Sequence, residues 1–194
     1  MRDKNVLMID IALKEWACVC DLLVEGKVCL LLRKGGVHEH GGPGRFELEH
    51  DRFALFPAWE HENLDWIKPE MRPGRGPITQ EPPDITFRGY AEVAGIWEVP
   101  GRNAFDELDD LHPWLAPQID MRFNYKPDRP LYAMLVRAFR FGSAVTIPSR
   151  AAFAGCKSWV PLEGTDALDP QFVRSAVADE AIEGLKARVS RALG

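Results

Sequence analysis

The stretch LLLRKGGVHEHGG, residues 30–42, ends an apolar run with two cations and two glycines. The segment Lys27–Arg33 is short, apolar and bounded by glycine on both sides, a pattern typical of a buried β-strand. Residues 35–44 follow as a glycine-rich loop. The sequence therefore predicts a buried strand that ends at Arg33.

Two interpretations of the residues after this strand remain open. Glycines that follow Arg33 and Lys34 predict exposed backbone N–H groups, which would form a small anion site with the two cations. A hairpin turn with solvated cations fits the same residues. A nucleotide-binding P-loop does not fit, because the cations precede Gly35 and Gly36 and no Ser or Thr follows.

The histidines of this region favour a metal site as a different interpretation. Positions i and i+2 of a strand share a face, so His38 and His40 would both reach one ion. His50 and His61 are further candidate ligands. The helical HExxH arrangement of zinc hydrolases is absent, and histidines that cap loop carbonyls fit the pattern equally.

The composition predicts a globular protein with a sizeable core, since 46% of the 194 residues are hydrophobic and 27% are charged. A net charge of −5 argues against a broad basic surface for nucleic acid but permits a local basic pocket. No apolar run approaches the roughly 18 residues of a membrane span, and no secretory signal is expected. Four cysteines without a CxxC pair predict reduced thiols and a cytoplasmic protein.

The periodicity predicts several short strands and few helices. A helix is expected over residues 11–23 after Asp10, and a long strand over 85–99 with a bend at Gly89 or Gly95. A C-terminal helix is expected to begin with Asp169 as its cap. Further expected elements are strands at 45–50, 53–57, 131–141, 144–148 and 156–162, a loop at 68–83 and a helix at 105–115. This order predicts an α+β fold with a curved or closed sheet.

Four motifs in order resemble the uncharacterised bacterial family called domain of unknown function 1802. They are ALKEW at 12–16, LLLRKGG at 30–36, FELEHDRFALFP at 46–57 and GCKSWVPL at 155–162, and the resemblance covers residues 10–163. The family name carries no activity. The resemblance implies an association with DNA modification or defence.

A wider resemblance is to ASCH and PUA-like domains, through GKVCLLLR at 26–33, FALFPAW at 53–59 and FRGYAEVAGIW at 87–97. It implies a PUA/ASCH-like small β-barrel with flanking helices, formed by residues 1–168, and a C-terminal helix, 169–194, packed on it. It also implies a cleft for RNA or a modified base. Members that hydrolyse acylated cytidine carry Lys and Thr where this chain has Val28 and Leu31, so that activity is not expected.

These features together predict a nucleic-acid or nucleotide-binding module, with no cofactor and no membrane association, rather than an enzyme. Recognition of a modified base is the expected form of binding. Arg33→Ala is then expected to abolish nucleotide binding without unfolding the chain, and Trp59, Trp97 or Trp159 to stack a base. The expected ligand site consists of Arg33, Lys34, Gly35, Gly36, His50, Lys157 and Trp159.

Two other functions remain open. One is a metal-dependent hydrolase or nuclease that uses the His- and Glu-rich region 38–61, with His38, His40, His50 and His61 as ligands. The other is a scaffold protein that binds partners through the Pro-rich loop and the C-terminal helix.

Overall fold

The computed structural model describes residues 8–35, 42, 45–170 and 172–194. Its strands are β1 (Ile11–Trp16), β2 (Leu30–Arg33), β3 (Arg52–Ala58), β4 (Asp84–Glu98), β5 (Tyr132–Pro148), β6 (Trp159–Pro161) and β7 (Arg174–Ser175). Its α-helices are α1 (Ala17–Val24), α2 (Arg102–Asp106), α3 (Ala116–Asn124) and α4 (Asp179–Leu193).

The strands form one mixed sheet in the order β2-β5-β4-β3-β1-β6, with β7 added beside β5. Strands β1 and β3 run parallel, and the other neighbours along this order are antiparallel. The sheet curls into a half-barrel flanked by helices. The predicted α+β fold with a small barrel-like sheet is therefore confirmed.

Two bulges in β4 produce much of this curvature. The register between β4 and β5 shifts between Phe87 and Gly89 and again between Val93 and Gly95. A Cβ atom at Gly89 would lie 2.1 Å from the carbonyl oxygen of Phe139, so only glycine fits against β5 there. The predicted bend at these two glycines is confirmed, and it turns the sheet ends towards each other.

Both faces of the sheet are buried, which explains the continuous apolar runs in the central strands. In β3, Phe53 and Leu55 pack into a core with the helices, whereas Ala54 and Phe56 pack into a second core with Phe153.

The predicted helix over residues 11–23 is wrong in its first half. Residues 11–16 form β1, which pairs with β3 and β6, and the helix begins only at Ala17. The spacing of apolar residues in a short segment fits a strand and a helix alike. Here residues 11–16 form a strand because they pair with β3 on one side and with β6 on the other.

The later boundaries also differ from the predicted ones. The expected strand at 53–57 continues past Pro57 to Ala58, near a strand end where a missing N–H is tolerated. The expected strands at 131–141 and 144–148 are one strand, β5. The last helix begins at Asp179 instead of after Asp169, because residues 174–175 pair with β5. Helix α3 was not predicted.

Within the described residues, no helix is long and apolar enough to cross a bilayer.

A buried histidine, His112, lies between the rings of Phe105 and Trp114, at centroid distances of 4.7 and 5.5 Å. Its Nδ1 accepts a hydrogen bond from the Trp114 backbone N–H, which is 3.3 Å away. Burial, and next the nearby Lys68 ammonium, lower the pKa of His112 to about 4. The folded protein therefore holds this ring neutral at pH values where the unfolded chain binds a proton.

We predict that His112 makes the protein less stable as the pH falls from about 6.5 towards 4, by up to about 3 kcal/mol. In this window the unfolded chain takes up the proton and the folded protein does not. His112→Asn keeps an acceptor for the Trp114 N–H and removes the titration. Urea unfolding at pH 7 and pH 5 should show a smaller loss of stability for the variant, and equal losses would contradict this.

Candidate functional site

A cavity of about 150 Å³ lies where the two ends of the curled sheet approach each other. The end of β2 provides one wall and β1 the opposite one, while the turn after β3, helix α3 and the loop before β6 complete it. We call it the basic cavity, and its lining consists of Lys14, Glu15, Trp16, Arg33, Lys34, Gly35, Ala58, Glu60, His61, Arg122, Gly155, Cys156, Lys157 and Ser158.

Arg33 is a buried bridge between the sheet ends. Its side chain is 9% exposed, and its Nη1 donates to the carbonyl oxygen of Lys14 and to Glu15 Oε2, both at 3.1 Å. Its Nη2 donates to Ser158 Oγ at 2.8 Å. The guanidinium also lies over the ring of Phe46, 5.2 Å from the centroid. It thereby joins the end of β2 to β1 and to the residue before β6.

Lys34 follows directly and is only 2% exposed. Its ammonium group donates to the carbonyl oxygen of Phe123 at 3.3 Å and forms no ion pair with the described residues. Burial lowers the pKa of Lys34, and Asp128 opposes this shift. Lys34 is thus a cation in the cavity lining that forms no ion pair with a described carboxylate.

Arg122 of α3 is the second such cation. It lines the basic cavity, and it makes no hydrogen bond or ion pair with any described residue. Burial lowers the pKa of Arg122, while Glu15 raises it and Arg33 lowers it further. A guanidinium carries five N–H donors, and those of Arg122 have no acceptor among the described residues.

Two further lysines line the cavity from the side of β6. Lys14 donates to the carbonyl oxygen of Gly155 at 3.0 Å, and Lys157 donates to that of Ala152. Burial lowers the pKa of Lys14, and Glu81 and Glu60 oppose this shift. The lining thus has five cationic side chains against two carboxylates, in a protein whose net charge is −5.

The structure brings together four of the predicted ligand-site residues, since Arg33, Lys34, Gly35 and Lys157 all line the basic cavity. Gly36 lies outside the described residues.

Trp159 and His50 are not among the cavity-lining residues. The Trp159 ring packs against Phe46 and Phe53, and its N–H donates to the carbonyl oxygen of Glu47. The His50 ring meets the edge of Trp159, with centroids 5.1 Å apart. Trp159, which was expected to stack a ligand, therefore belongs to the core, and the partly buried His50 packs against it.

The four histidines predicted for the alternative metal site do not all lie at one place in the described structure. His61 lines the basic cavity, whereas His50 contacts Trp159. His38 and His40 lie outside the described residues.

A second cleft of about 650 Å³ adjoins the basic cavity and shares Glu60, His61 and Gly155 with it. We call it the Trp59 cleft, because half-buried Trp59 lines it opposite the Pro-rich loop. Its other lining residues are Glu62, Pro77, Ile78, Thr79, Glu81 and Ala154. Trp59, one of the three tryptophans expected to stack a base, thus lies beside the cations.

Sequence reasoning missed Arg122. Its helix was not predicted, and no motif distinguishes a single arginine in MRFNY. Only the position of α3 across the open side of the half-barrel reveals it.

The family model described as "Domain of unknown function (DUF1802)" matches residues 12–188. The chain belongs to this family. The match confirms the resemblance found in the four sequence motifs, and all the residues that line the basic cavity lie within it.

Two solved structures similar to this DUF1802 protein are crystal structures of the ASCH protein of Zymomonas mobilis. One, a serine-to-alanine mutant, is 14% identical and covers 92% of this chain and 94% of its own, with a TM-score of 0.43. The other is 12% identical and covers 91% and 93%, with a TM-score of 0.40. No curated protein sequence matches this chain.

Because Arg33 joins the sheet ends, we predict that its loss destabilises the fold, contrary to the expectation from sequence. Arg33→Met should cost about 3–5 kcal/mol, since it leaves Glu15 buried without its partner. The double variant Arg33→Met/Glu15→Gln should recover part of this loss. Urea unfolding of the parent and the two variants measures both effects, and a parent-like Arg33→Met would refute the bridging role.

Proposed function

We propose that this protein binds a phosphorylated nucleotide or the phosphorylated end of a nucleic-acid strand, with the phosphate in the basic cavity. The observation that carries the proposal is the pair Lys34 and Arg122. Burial lowers the pKa of both cations, both line one cavity, and neither forms an ion pair with a carboxylate of the described residues.

The energetics of desolvated cations favour an anionic ligand. Removing a cation from water costs free energy unless a counter-charge or hydrogen-bond acceptors compensate. Lys34 has one carbonyl partner and Arg122 has none among the described residues. A phosphate would supply both charge and acceptors, since guanidinium groups bind phosphate oxygens through two parallel hydrogen bonds.

The size of the basic cavity supports one phosphate group rather than a whole nucleotide. Pockets that enclose complete drug-sized ligands measure about 300–1,000 Å³, and this cavity measures about 150 Å³. The rest of the ligand then extends into the adjoining Trp59 cleft. There the indole of Trp59 offers a surface on which a base can stack.

The overall charge favours a short ligand or a strand end over a long duplex. Binding along a duplex needs a broad basic surface, and the net charge of this chain is −5. The cations are instead concentrated in one recess. Such an arrangement selects a terminal phosphate that can enter the recess.

We predict that Arg122→Gln and Lys34→Met each weaken binding of 5′-phosphorylated oligonucleotides about tenfold or more. Each change removes charge-assisted hydrogen bonds, which contribute about 1.5–3 kcal/mol. Arg191→Gln and Lys186→Gln on α4 are matched controls, since neither residue lines the basic cavity. Calorimetry should show weaker binding for the cavity variants alone.

The same assay includes oligonucleotides without the 5′-phosphate. The parent protein should bind these probes at least as weakly as the Arg122→Gln variant binds the phosphorylated probe. Equal affinity of the parent for both probes would exclude phosphate recognition in this cavity. Thermal unfolding of each variant verifies that the fold is intact.

We predict that Trp59→Leu weakens binding of a nucleoside monophosphate about tenfold but leaves the affinity for inorganic phosphate unchanged. Base stacking on an aromatic side chain contributes roughly 1–3 kcal/mol, and free phosphate has no base. Trp59→Phe keeps an aromatic ring and should retain most of the affinity. Equal losses for both ligands would show that Trp59 does not contact a base.

A further inference from the structure

Three metal-ligating side chains meet on the rim shared by the basic cavity and the Trp59 cleft. The ligand atoms of Glu60, His61 and Cys156 all lie within 4.8 Å of one another. All three residues line the basic cavity. The sequence shows no such grouping, because Cys156 lies about 95 positions after the other two and His61 was considered only with other histidines.

The fold explains why these residues converge. Glu60 and His61 follow the end of β3, and Cys156 lies shortly before β6. Strand β1 lies between β3 and β6, so the two segments approach each other at one end of the sheet.

The backbone at His61 adopts the left-handed conformation, with φ of 63°. Successive side chains of an extended segment point to opposite sides, but here the chain turns and both side chains share a side. The distance between His61 Nε2 and Glu60 Oε1 is 3.6 Å. A non-glycine residue in this conformation costs free energy and is frequent at binding sites.

Cys156 differs from the other three cysteines of the chain. Cys18, Cys20 and Cys29 are buried, and burial raises the pKa of each of them, so they remain inert thiols. Cys156 is partly exposed and lines the cavity. It is the accessible thiol of the protein.

We propose that Glu60, His61 and Cys156 bind a divalent zinc-class cation at the rim of the basic cavity. A thiolate, an imidazole and a carboxylate form a donor set suited to zinc, and three protein ligands leave a coordination position for water or a bound ligand. The three ligand atoms already lie within 4.8 Å of one another, and the side chains of Glu60 and His61 are exposed.

The charge balance at the rim is compatible with a divalent cation. Lys14 and Lys157 line the same cavity and would repel it. The Cys156 thiolate and the Glu60 carboxylate together neutralise the two positive charges of the ion, so the filled site itself carries no net charge beside the lysines. The binding of the metal does not depend on the proposed nucleotide.

The test is a titration of the purified, metal-stripped full chain with Co²⁺ and Zn²⁺ in the absence of any nucleotide. We expect one equivalent to bind, with a sulfur-to-cobalt charge-transfer band in the near ultraviolet. Cys156→Ser should abolish this band, and Glu60→Gln and His61→Asn should each weaken binding at least about tenfold. Asparagine is chosen at position 61 because it tolerates the left-handed backbone.

The matched control is His50→Asn, which removes a histidine outside the cluster and should leave the titration unchanged. A His38→Asn/His40→Asn variant separates the proposed site from the histidines suggested by the sequence. The proposal is wrong if no stoichiometric binding occurs, if the band survives in Cys156→Ser, or if only the 38/40 variant loses the metal. Since the probe is the metal alone, failure here leaves phosphate binding untouched, and the reverse also holds.

Discussion

The buried guanidinium of Arg33 is the interaction on which the architecture depends. The order of the strands places β2 at one end of the sheet and β6 at the other, with β1 beside it. No backbone ladder joins these ends within the described residues, and the side chain of Arg33 spans the gap through Lys14, Glu15 and Ser158. Because a buried cation is tolerated only with such partners, its position determines how far the half-barrel closes.

The incomplete closure creates the recess in which the other cations lie. A fully laddered barrel of this size fills its interior with side chains. Here α3 adds Arg122 to a lining that already contains Lys34. Arg33 forms an ion pair with Glu15, whereas Lys34 and Arg122 form none with the described residues. One cation therefore joins the sheet ends, and its two neighbours are the cations to which we assign the proposed phosphate.

In the proposed function, the basic cavity and the Trp59 cleft would each recognise a different part of the ligand. The cavity offers charge and hydrogen-bond donors, while the cleft offers an indole and the apolar side chains of the Pro-rich loop. Glu60 and His61 belong to both linings, so a metal bound there would lie where the two parts of a ligand join. The residues after β3 thus connect the phosphate-binding proposal with the metal-binding one.

The sequence by itself determined the elements whose pattern is local. The apolar run before Arg33 and the order of short strands predicted a curved sheet. The cations at 33, 34 and 157, which the sequence assigned to one ligand site, all line the basic cavity. Tertiary structure alone decided four other features. They are the parallel pairing that makes residues 11–16 a strand, the burial of Trp159, the proximity of Cys156 to His61 and the position of Arg122 in the cavity lining. The physical reason is that each of these features depends on contacts between segments far apart in the chain. Local periodicity does not predict which distant segments will be in contact.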